Sequence, residues 1–550
     1  MSVLDIVLVV LVLLTSVVLS EQLTRYIPVP LPLMQIALGI VVGFSSDLKI
    51  TLNPDVFFLI FLPPLLFLDG WRIPKEALLR NIRTITSLAF GLVVFTVLGG
   101  GLFIHWLIPA VPLPLSFALA AILSPTDPIA VASIAKRTPI PGRLMTILEG
   151  EALFNDASGL VCMRFAVAAV MTGLFSLEKA VFVFSWLVCG GIIIGATVTF
   201  LIIRARSWLH LDRNEKSGIQ ILVSLLIPFI AYLVAEYVKG SGILAAVIAG
   251  TVMSRHEHEL HVLSETRIES DSVWNTIQIA ANGAIFILLG EQLPDIIGKA
   301  AEAVHESGHF RLIWLLVYIL SVYGILSLLR FIWVWTSLRM TLFRQTGLND
   351  QYRHYRWKVV LVMTIAGARG AVTLAGILTL PFLLPDGKLF PARDLVIWIA
   401  AGVIICSLLT ASATLPWLLK NLEFLHESKE LSQLEIMLRR RAAIAALQAI
   451  EQTRQNMSGE NNPNSDLYIA AAEHVSAPYR RRLERSDDET GDQRLHRLEE
   501  IEKILTLSGI RAERDTLYAA QKTHHLPENL MHKLIRELDY YERALSDTDE

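Results

Sequence analysis

Along the first 420 positions apolar residues do not alternate with polar ones; they run together in long stretches separated by short polar punctuation. A helix needs about 20 apolar residues to cross the hydrocarbon core of a bilayer. On that ruler the chain predicts thirteen spanning helices, at 3–20, 31–46, 54–70, 84–109, 115–134, 144–173, 179–203, 218–237, 241–254, 273–292, 311–337, 357–380 and 394–419. Residues 1–20 lack the basic start and small-residue cleavage site of a signal peptide, so they read as the first span. After Lys420 the pattern changes to amphipathic spacing, as in Leu498, Ile501, Leu505 and Ile510. Helices are predicted near 426–455, 467–485, 494–521 and 528–546, divided by a polar linker at 458–464 and by Pro527.

Composition sharpens this into a membrane body and a polar tail. The 550 residues are 53% hydrophobic and only 18% charged, with a mean hydropathy of +0.52, which excludes an ordinary soluble protein. Of 48 Lys and Arg and 51 Asp and Glu, 18 and 25 fall within 421–550, so an acidic helical tail follows a membrane domain at 1–420. Loops after odd-numbered spans carry 19 Lys and Arg, and loops after even-numbered spans carry seven. Because cytoplasmic loops collect positive charge, the amino terminus is expected outside and the tail in the cytoplasm, in a cell inner (plasma) membrane. Cys162, Cys189 and Cys406 all lie in apolar runs and read as packing residues. The tail carries no nucleotide, metal or phosphorelay motif, and neither a cofactor nor a nucleic-acid partner is expected; a regulator of the tail and a passive solubilising role are both open.

Chemistry concentrates where charge meets broken backbone. The fifth stretch contains Ser124-Pro125-Thr126-Asp127-Pro128; two prolines three apart remove backbone donors and clash with preceding carbonyls, so the helix should unwind there. A bare proline kink is the alternative, but an acid inside the kink resembles the midplane cation sites of transporters with discontinuous helices. The sixth stretch carries Glu149, Glu151, Asn155 and Asp156. Glu149 and Asp156, seven apart, share a face, whereas Glu151 is rotated away from Asp156. At ~1.5 Å per residue, Asp156 lies about 18 Å and Glu151 about 10 Å above the inner end of their helix. Arg330 sits at the depth of Glu151 and could neutralise it; Arg369, within Gly367-Ala368-Arg369-Gly370-Ala371, sits at the depth of Asp156, where the glycines allow a second break to face the first.

Phe61-Leu62-Pro63-Pro64, Ser124-Pro125-Thr126-Asp127-Pro128, Glu151-Ala152-Leu153-Phe154-Asn155-Asp156, Phe286-Ile287-Leu288-Leu289-Gly290 and Gly367-Ala368-Arg369-Gly370-Ala371 together resemble the monovalent cation:proton antiporter-1 family, the NhaP and NHE-type sodium/proton exchangers. The resemblance covers most of 1–420 and not the tail. It implies an all-α membrane fold of about thirteen helices with inverted repeats and two broken helices. It further implies a homodimer in which core helices at about 84–173 and 311–420 move, elevator-like, past dimerisation helices at about 1–83 and 179–292. Carried over by position, Asp156 is the ion- and proton-binding acid with Asn155 beside it, Thr126 and Asp127 are contributors from the unwound helix, Glu151 and Arg330 form a structural ion pair, Arg369 is a second core cation, and Asp69 stands near a cation path. Ala152 departs from the family, where Ser often supplies a cation ligand, and the Asn155-Asp156 pair resembles the electroneutral branch.

The residues independently suit exchange of Na⁺, or of K⁺ or Li⁺, for H⁺: one acid that holds either ion obliges exchange if only its loaded forms reorient. A gated cation channel and an intramembrane hydrolase are the alternatives; broken charged helices in two separated halves favour alternating access, and no partner nucleophile or zinc set supports hydrolysis. Among weaker signals, the histidines of 255–261 read as a solvated loop ahead of a pH-sensing or metal role. Arg164 is expected to snorkel toward the outer leaflet. Gly39 with Gly43, and Gly191 with Gly195, fit either internal helix packing or a dimer seam.

Overall fold

The structure is a computed structural model that describes residues 3–27, 29–45, 54–73, 75–135, 140–172, 177–208, 217–259, 264–306, 313–341, 356–384, 387–420, 425–457, 465–483 and isolated positions between 501 and 542. It divides into two compact units, Met1–Glu423 and Phe424–Glu550. Among the described residues every element is helical apart from one antiparallel bridge, Leu383 to Leu389.

The first unit opens with α1 (Val3–Tyr26), α2 (Leu31–Ser45), α3 (Pro54–Arg72) and the short α4 (Lys75–Arg80). Helix α5 (Ile82–Leu107) follows, with a π-turn at Ser87–Gly91. Next come two half-helices, α6 (Leu113–Ile122) and α7 (Pro128–Ala135), then α8 (Gly142–Thr172), α9 (Leu177–Trp208), α10 (Ser217–Tyr237), α11 (Gly242–Glu259) and α12 (Ser264–Glu306). The unit closes with α13 (Ile313–Met340), the half-helices α14 (Arg356–Ile365) and α15 (Ala371–Leu378), and α16 (Arg393–Lys420). Every apolar stretch picked out in the sequence falls on one of these helices or on a half-helix pair. Among the described residues, eight of the helices are long and apolar enough to cross a membrane. Their outward faces carry large apolar side chains, such as Leu11, Val18, Trp106, Phe182, Phe200 and Leu316. A bilayer rather than water is the natural solvent for such a surface.

The most extensive pairings join α2 to α12, α3 to α11, α9 to α11, α5 to α6 and α6 to α8. Small residues make the closest of them. A Cβ on Gly39 would strike the Ile287 carbonyl, and one on Gly43 would lie 2.5 Å from the Glu291 carbonyl, so this glycine pair seats α2 on α12. Gly191 and Gly195 likewise seat α9 on Ser241, just ahead of α11, and on Ala245 of α11. Both pairs therefore pack helices within one chain, which removes the need to read them as a dimer seam.

Proline alone does not decide where a helix stops. Pro63 and Pro64 lie inside a continuous α3, and Pro228, Pro294 and Pro416 inside α10, α12 and α16. The expected interruptions are nevertheless present, at 123–127 between α6 and α7 and at 366–370 between α14 and α15.

Helix α12 extends well beyond its apolar 273–292 stretch, because hydropathy registers only the part that would meet lipid. In the second unit, α17 (Leu425–Met457) and α18 (Ser465–Leu483) pack against each other, and the described positions 504–514 are helical. The described positions 501, 516, 517, 534, 538 and 542 are helical too, and the rest of the expected helices at 494–521 and 528–546 lies outside the described residues.

Candidate functional site

The two interruptions meet. The backbone N–H of Asp127 donates to the carbonyl of Ala368 at 2.7 Å, so a peptide group freed by the first break is satisfied by the second. This is how unwound backbone persists away from water, where an unmatched amide costs several kcal/mol.

Four half-helix ends converge on this crossing, and each has a charge of the favourable sign. Asp127 caps α7, accepting at Oδ1 from the Ala130 N–H at 3.1 Å, with Pro128 in the first helical position where its missing N–H is not needed. The other side of the same carboxylate lies against Gly370, the residue preceding α15, so closely that a Cβ there would collide with Oδ2. A negative group thus faces the positive ends of two half-helices. At the opposite ends stand cations. Arg369 donates from Nε to the Leu123 carbonyl at 2.8 Å, at the end of α6, and its own N–H donates to Ser407 Oγ at 3.1 Å. Arg330 donates from Nε and Nη2 to the Met363 carbonyl, at 3.2 and 3.1 Å, in the last turn of α14.

Arg330 also grips Glu151 with two parallel bonds, Nη1 to Oε1 at 2.5 Å and Nη2 to Oε2 at 3.1 Å. The side chains are 4% and 0% exposed, so neither charge has water to fall back on. The equal depth read from the sequence for this pair is therefore a contact. Gly367 makes room for it, since a Cβ at that position would meet the guanidinium.

From Glu151 a polar chain leads towards Asp156. Thr126 donates to Glu151 Oε1 at 3.5 Å and accepts from Asn155 Nδ2 at 3.1 Å. Asn155 is thereby turned so that its Oδ1, which is buried, has no hydrogen-bond donor among the described residues; Ser124 Oγ is in the same condition. Asp156 is 8% exposed, and no hydrogen bond or ion pair joins its carboxylate to another described residue. It is instead surrounded by like charge, from Asp127 and Asp69, while Asp69 in turn faces Asp127 and Glu149 with Arg72 opposing. Buried carboxylates that repel one another, next to oxygens without donors, form an environment suited to a small hard cation or a proton.

All of the site residues expected from the sequence lie in or beside this crossing: Thr126, Asp127, Glu151, Asn155, Asp156, Arg330, Arg369 and, on α3, Asp69. Glu149, without a role in the sequence, belongs to the acidic surround. The sequence carried no signal for Met363, Leu123 or Ser407, which act through backbone atoms or a single hydroxyl, nor for Ser158, which donates to the Ala89 carbonyl at 2.8 Å.

Two lesser expectations need revision or fall outside view. Arg164 does not merely snorkel; it reaches across to Glu236 near the end of α10 at 3.4 Å, because an acid lies within the span of its side chain. The side chains of 256–263, with their histidines, lie outside the described residues. Among the described residues no group of three or more His, Cys, Asp or Glu is arranged to hold a resident metal.

Comparison with known proteins agrees with this reading. The family described as "Sodium/hydrogen exchanger, transmembrane" matches residues 8–421. The chain is 37% identical over 543 residues to the "Uncharacterized Na(+)/H(+) exchanger YjcE" of Escherichia coli (strain K12), covering 98% of each protein. It is 38% identical over 548 residues to the "Sodium, potassium, lithium and rubidium/H(+) antiporter" of Bacillus subtilis (strain 168), covering 97% of this chain and 78% of that protein. Among solved structures, the sodium proton antiporter MjNhaP1 from Methanocaldococcus jannaschii superposes with a TM-score of 0.58 at 19% identity, over 76% of this chain and 99% of that one, a likeness of fold. With the family match running from residue 8 to residue 421 of its helical membrane body, this chain belongs to the transmembrane sodium/hydrogen exchanger family.

Proposed function

We propose that the chain is a secondary transporter that exchanges Na⁺ for H⁺ across a membrane, with the two ions competing for Asp156 in an alternating-access cycle. The observation that carries this reading is the buried carboxylate of Asp156, which no described residue hydrogen-bonds and which feels the charges of Asp127 and Asp69, in a crossing that also holds two buried oxygens, Asn155 Oδ1 and Ser124 Oγ, without a donor among the described residues. A bare carboxylate so placed is costly to move through a low-dielectric barrier, whereas its proton- or cation-loaded form is neutral. Reorientation restricted to loaded forms couples the two fluxes. One carboxylate carrying one monovalent ion each way gives one-for-one, electroneutral exchange. K⁺ and Li⁺ are further cargo, in keeping with the breadth of cations in the name of the Bacillus subtilis relative. Without Ser at position 152, Asn155 Oδ1, Ser124 Oγ and water complete the oxygen shell.

The surrounding frame is read as thirteen crossings in two inverted repeats, with the amino terminus outside and the acidic tail in the cytoplasm, in the plasma membrane of a cell. The protein works as a homodimer through helices of 1–83 and 179–292 while 84–173 and 311–420 carry the ion, and the tail at 421–550 receives a regulator. No cofactor takes part.

The test is cation-driven proton movement in proteoliposomes holding a pH-sensitive dye. Asp156→Asn abolishes the signal while the protein remains monodisperse and keeps its melting temperature; normal exchange by this variant overturns the proposal. In wild-type vesicles an imposed membrane potential leaves the rate unchanged, and a rate that follows the potential excludes electroneutrality.

A further inference from the structure

Helix α5 contains five residues, Ser87–Gly91, wound as a π-turn, in which the hydrogen bond from Leu92 N–H reaches back five residues to Ser87 O. Such turns are unfavourable in isolation and are found where neighbours make use of the widened backbone. Here the neighbours are the two helices that carry the site. On α8, Ser158 lies two residues past Asp156 and is 4% exposed; its hydroxyl donates to the Ala89 carbonyl at 2.8 Å, with the carbonyl of Asn155 a second acceptor at 3.1 Å. On α13, Trp333 lies three residues past Arg330; its Nε1 donates to Ser87 O at 3.0 Å, and Ser337 Oγ lies 3.0 Å from Ser87 Oγ.

Packing reinforces both contacts. Gly91 leaves space for the Trp333 ring, and Gly150, one residue before Glu151, leaves space for Ile85. Phe90 and Phe154 approach at 6.3 Å between ring centres, and Phe95 and Trp333 at 5.2 Å. The turn is therefore held between α8 and α13 at a point less than one helical turn from Asp156 and from Arg330. Because no described residue hydrogen-bonds the Asp156 carboxylate, its orientation depends on the rotation of α8 about its own axis. Among the described residues, the Glu151 to Arg330 and Asn155 to Thr126 contacts fix that rotation on the amino-terminal side of Asp156, and the Ser158 to Ala89 bond fixes it on the carboxy-terminal side, against α5.

We propose that Ser158, seated on the Ala89 carbonyl of the π-turn, is a positioning residue for Asp156 and so sets how tightly the exchanger holds its cation. This rests on the assignment of Asp156 as the ion-carrying acid. A small rotation of α8 turns the carboxylate relative to the break between α6 and α7, which does not rotate with it, so losing the hydroxyl weakens cation binding more than it slows the loaded carrier.

The experiment measures Na⁺-driven proton movement in proteoliposomes across Na⁺ concentration and pH for wild type, Ser158→Ala, Ser158→Thr and Asp156→Asn. Ser158→Ala raises the Na⁺ concentration for half-maximal rate by about fivefold, the order of one net hydrogen bond, with the maximal rate within about twofold. It also displaces the pH profile, since a proton then competes more successfully. Ser158→Thr, which keeps the hydroxyl, restores both. A Ser158→Ala protein with unchanged half-saturation and pH profile overturns the proposal, as does one in which only the maximal rate and the melting temperature fall and Thr gives no rescue. Asp156→Asn separates the two levels: if it still exchanges, the assignment of the acid fails; if it is inactive and Ser158→Ala behaves as wild type, only the positioning role fails.

Discussion

Removal of either partner of the Glu151–Arg330 pair is the perturbation whose size the geometry constrains best. Glu151→Gln leaves a guanidinium that is 4% exposed without a counter-charge, its acceptors reduced to the Met363 carbonyl and one amide oxygen, and Arg330→Gln leaves a fully buried carboxylate without a counter-charge, the long bond from Thr126 remaining. Breaking a buried pair in this way typically costs about 3–5 kcal/mol. If the two groups did not interact, the double variant would lose about twice that; since they do, neutralising both together recovers much of it, and the coupling energy is on the order of 3 kcal/mol. Exchanging the charges, Glu151→Arg with Arg330→Glu, restores only part of the loss. A carboxylate at position 330 faces the Met363 carbonyl, which the native guanidinium satisfies with two bonds. The measurement is reversible unfolding of the purified protein in mixed detergent, wild type, both single variants, the double variant and the swap, followed by tryptophan fluorescence. Single losses that add to within about 0.5 kcal/mol in the double variant refute the pairing.

The same crossing makes Gly367 and Gly370 intolerant of even one carbon. Gly367→Ala presses on the Arg330 guanidinium and Gly370→Ala on the Asp127 carboxylate. Both should lower stability by about 1–3 kcal/mol, the range for overpacking, read in the same unfolding assay, whereas Gly324→Ala, with open space around it, should lose nothing. The Arg164–Glu236 pair lies at the surface, and its removal should change stability by less than about 1 kcal/mol. A cross-link between cysteines at 164 and 236 should nonetheless stop exchange if α8 moves past α10, and undiminished exchange in the cross-linked protein argues against that motion.

The crossing of the two broken helices was legible in the sequence because its causes are local. Prolines flanking Asp127 and glycines flanking Arg369 weaken a helix wherever they stand, and depth along apolar stretches was enough to match Glu151 with Arg330. The prolines of α3, α10, α12 and α16 show where that reading ends: a proline breaks a helix only if other groups take up the freed backbone, and those groups lie hundreds of residues away. For the same reason the π-turn of α5 left no trace. It contains neither proline nor an unusual run, and it exists because Ser158 and Trp333 arrive from other helices. The rotation of each helix about its axis, which brings Arg164 to Glu236 and Gly39 to Ile287, is likewise fixed by packing and not by the period of the chain.

The crossing also sets a schedule for biogenesis. The Leu123 carbonyl is 246 residues ahead of its partner Arg369, and the Asp127 amide waits almost as long for Ala368. At about 5–20 residues per second, a nascent chain spends roughly 12–50 s with an open break already made and nothing to close it. Lipid cannot supply the missing hydrogen bonds. Until the second half emerges, α6 and α7 must therefore remain against water or the insertion machinery, and a chain stopped before residue 368 is a membrane protein that cannot leave it.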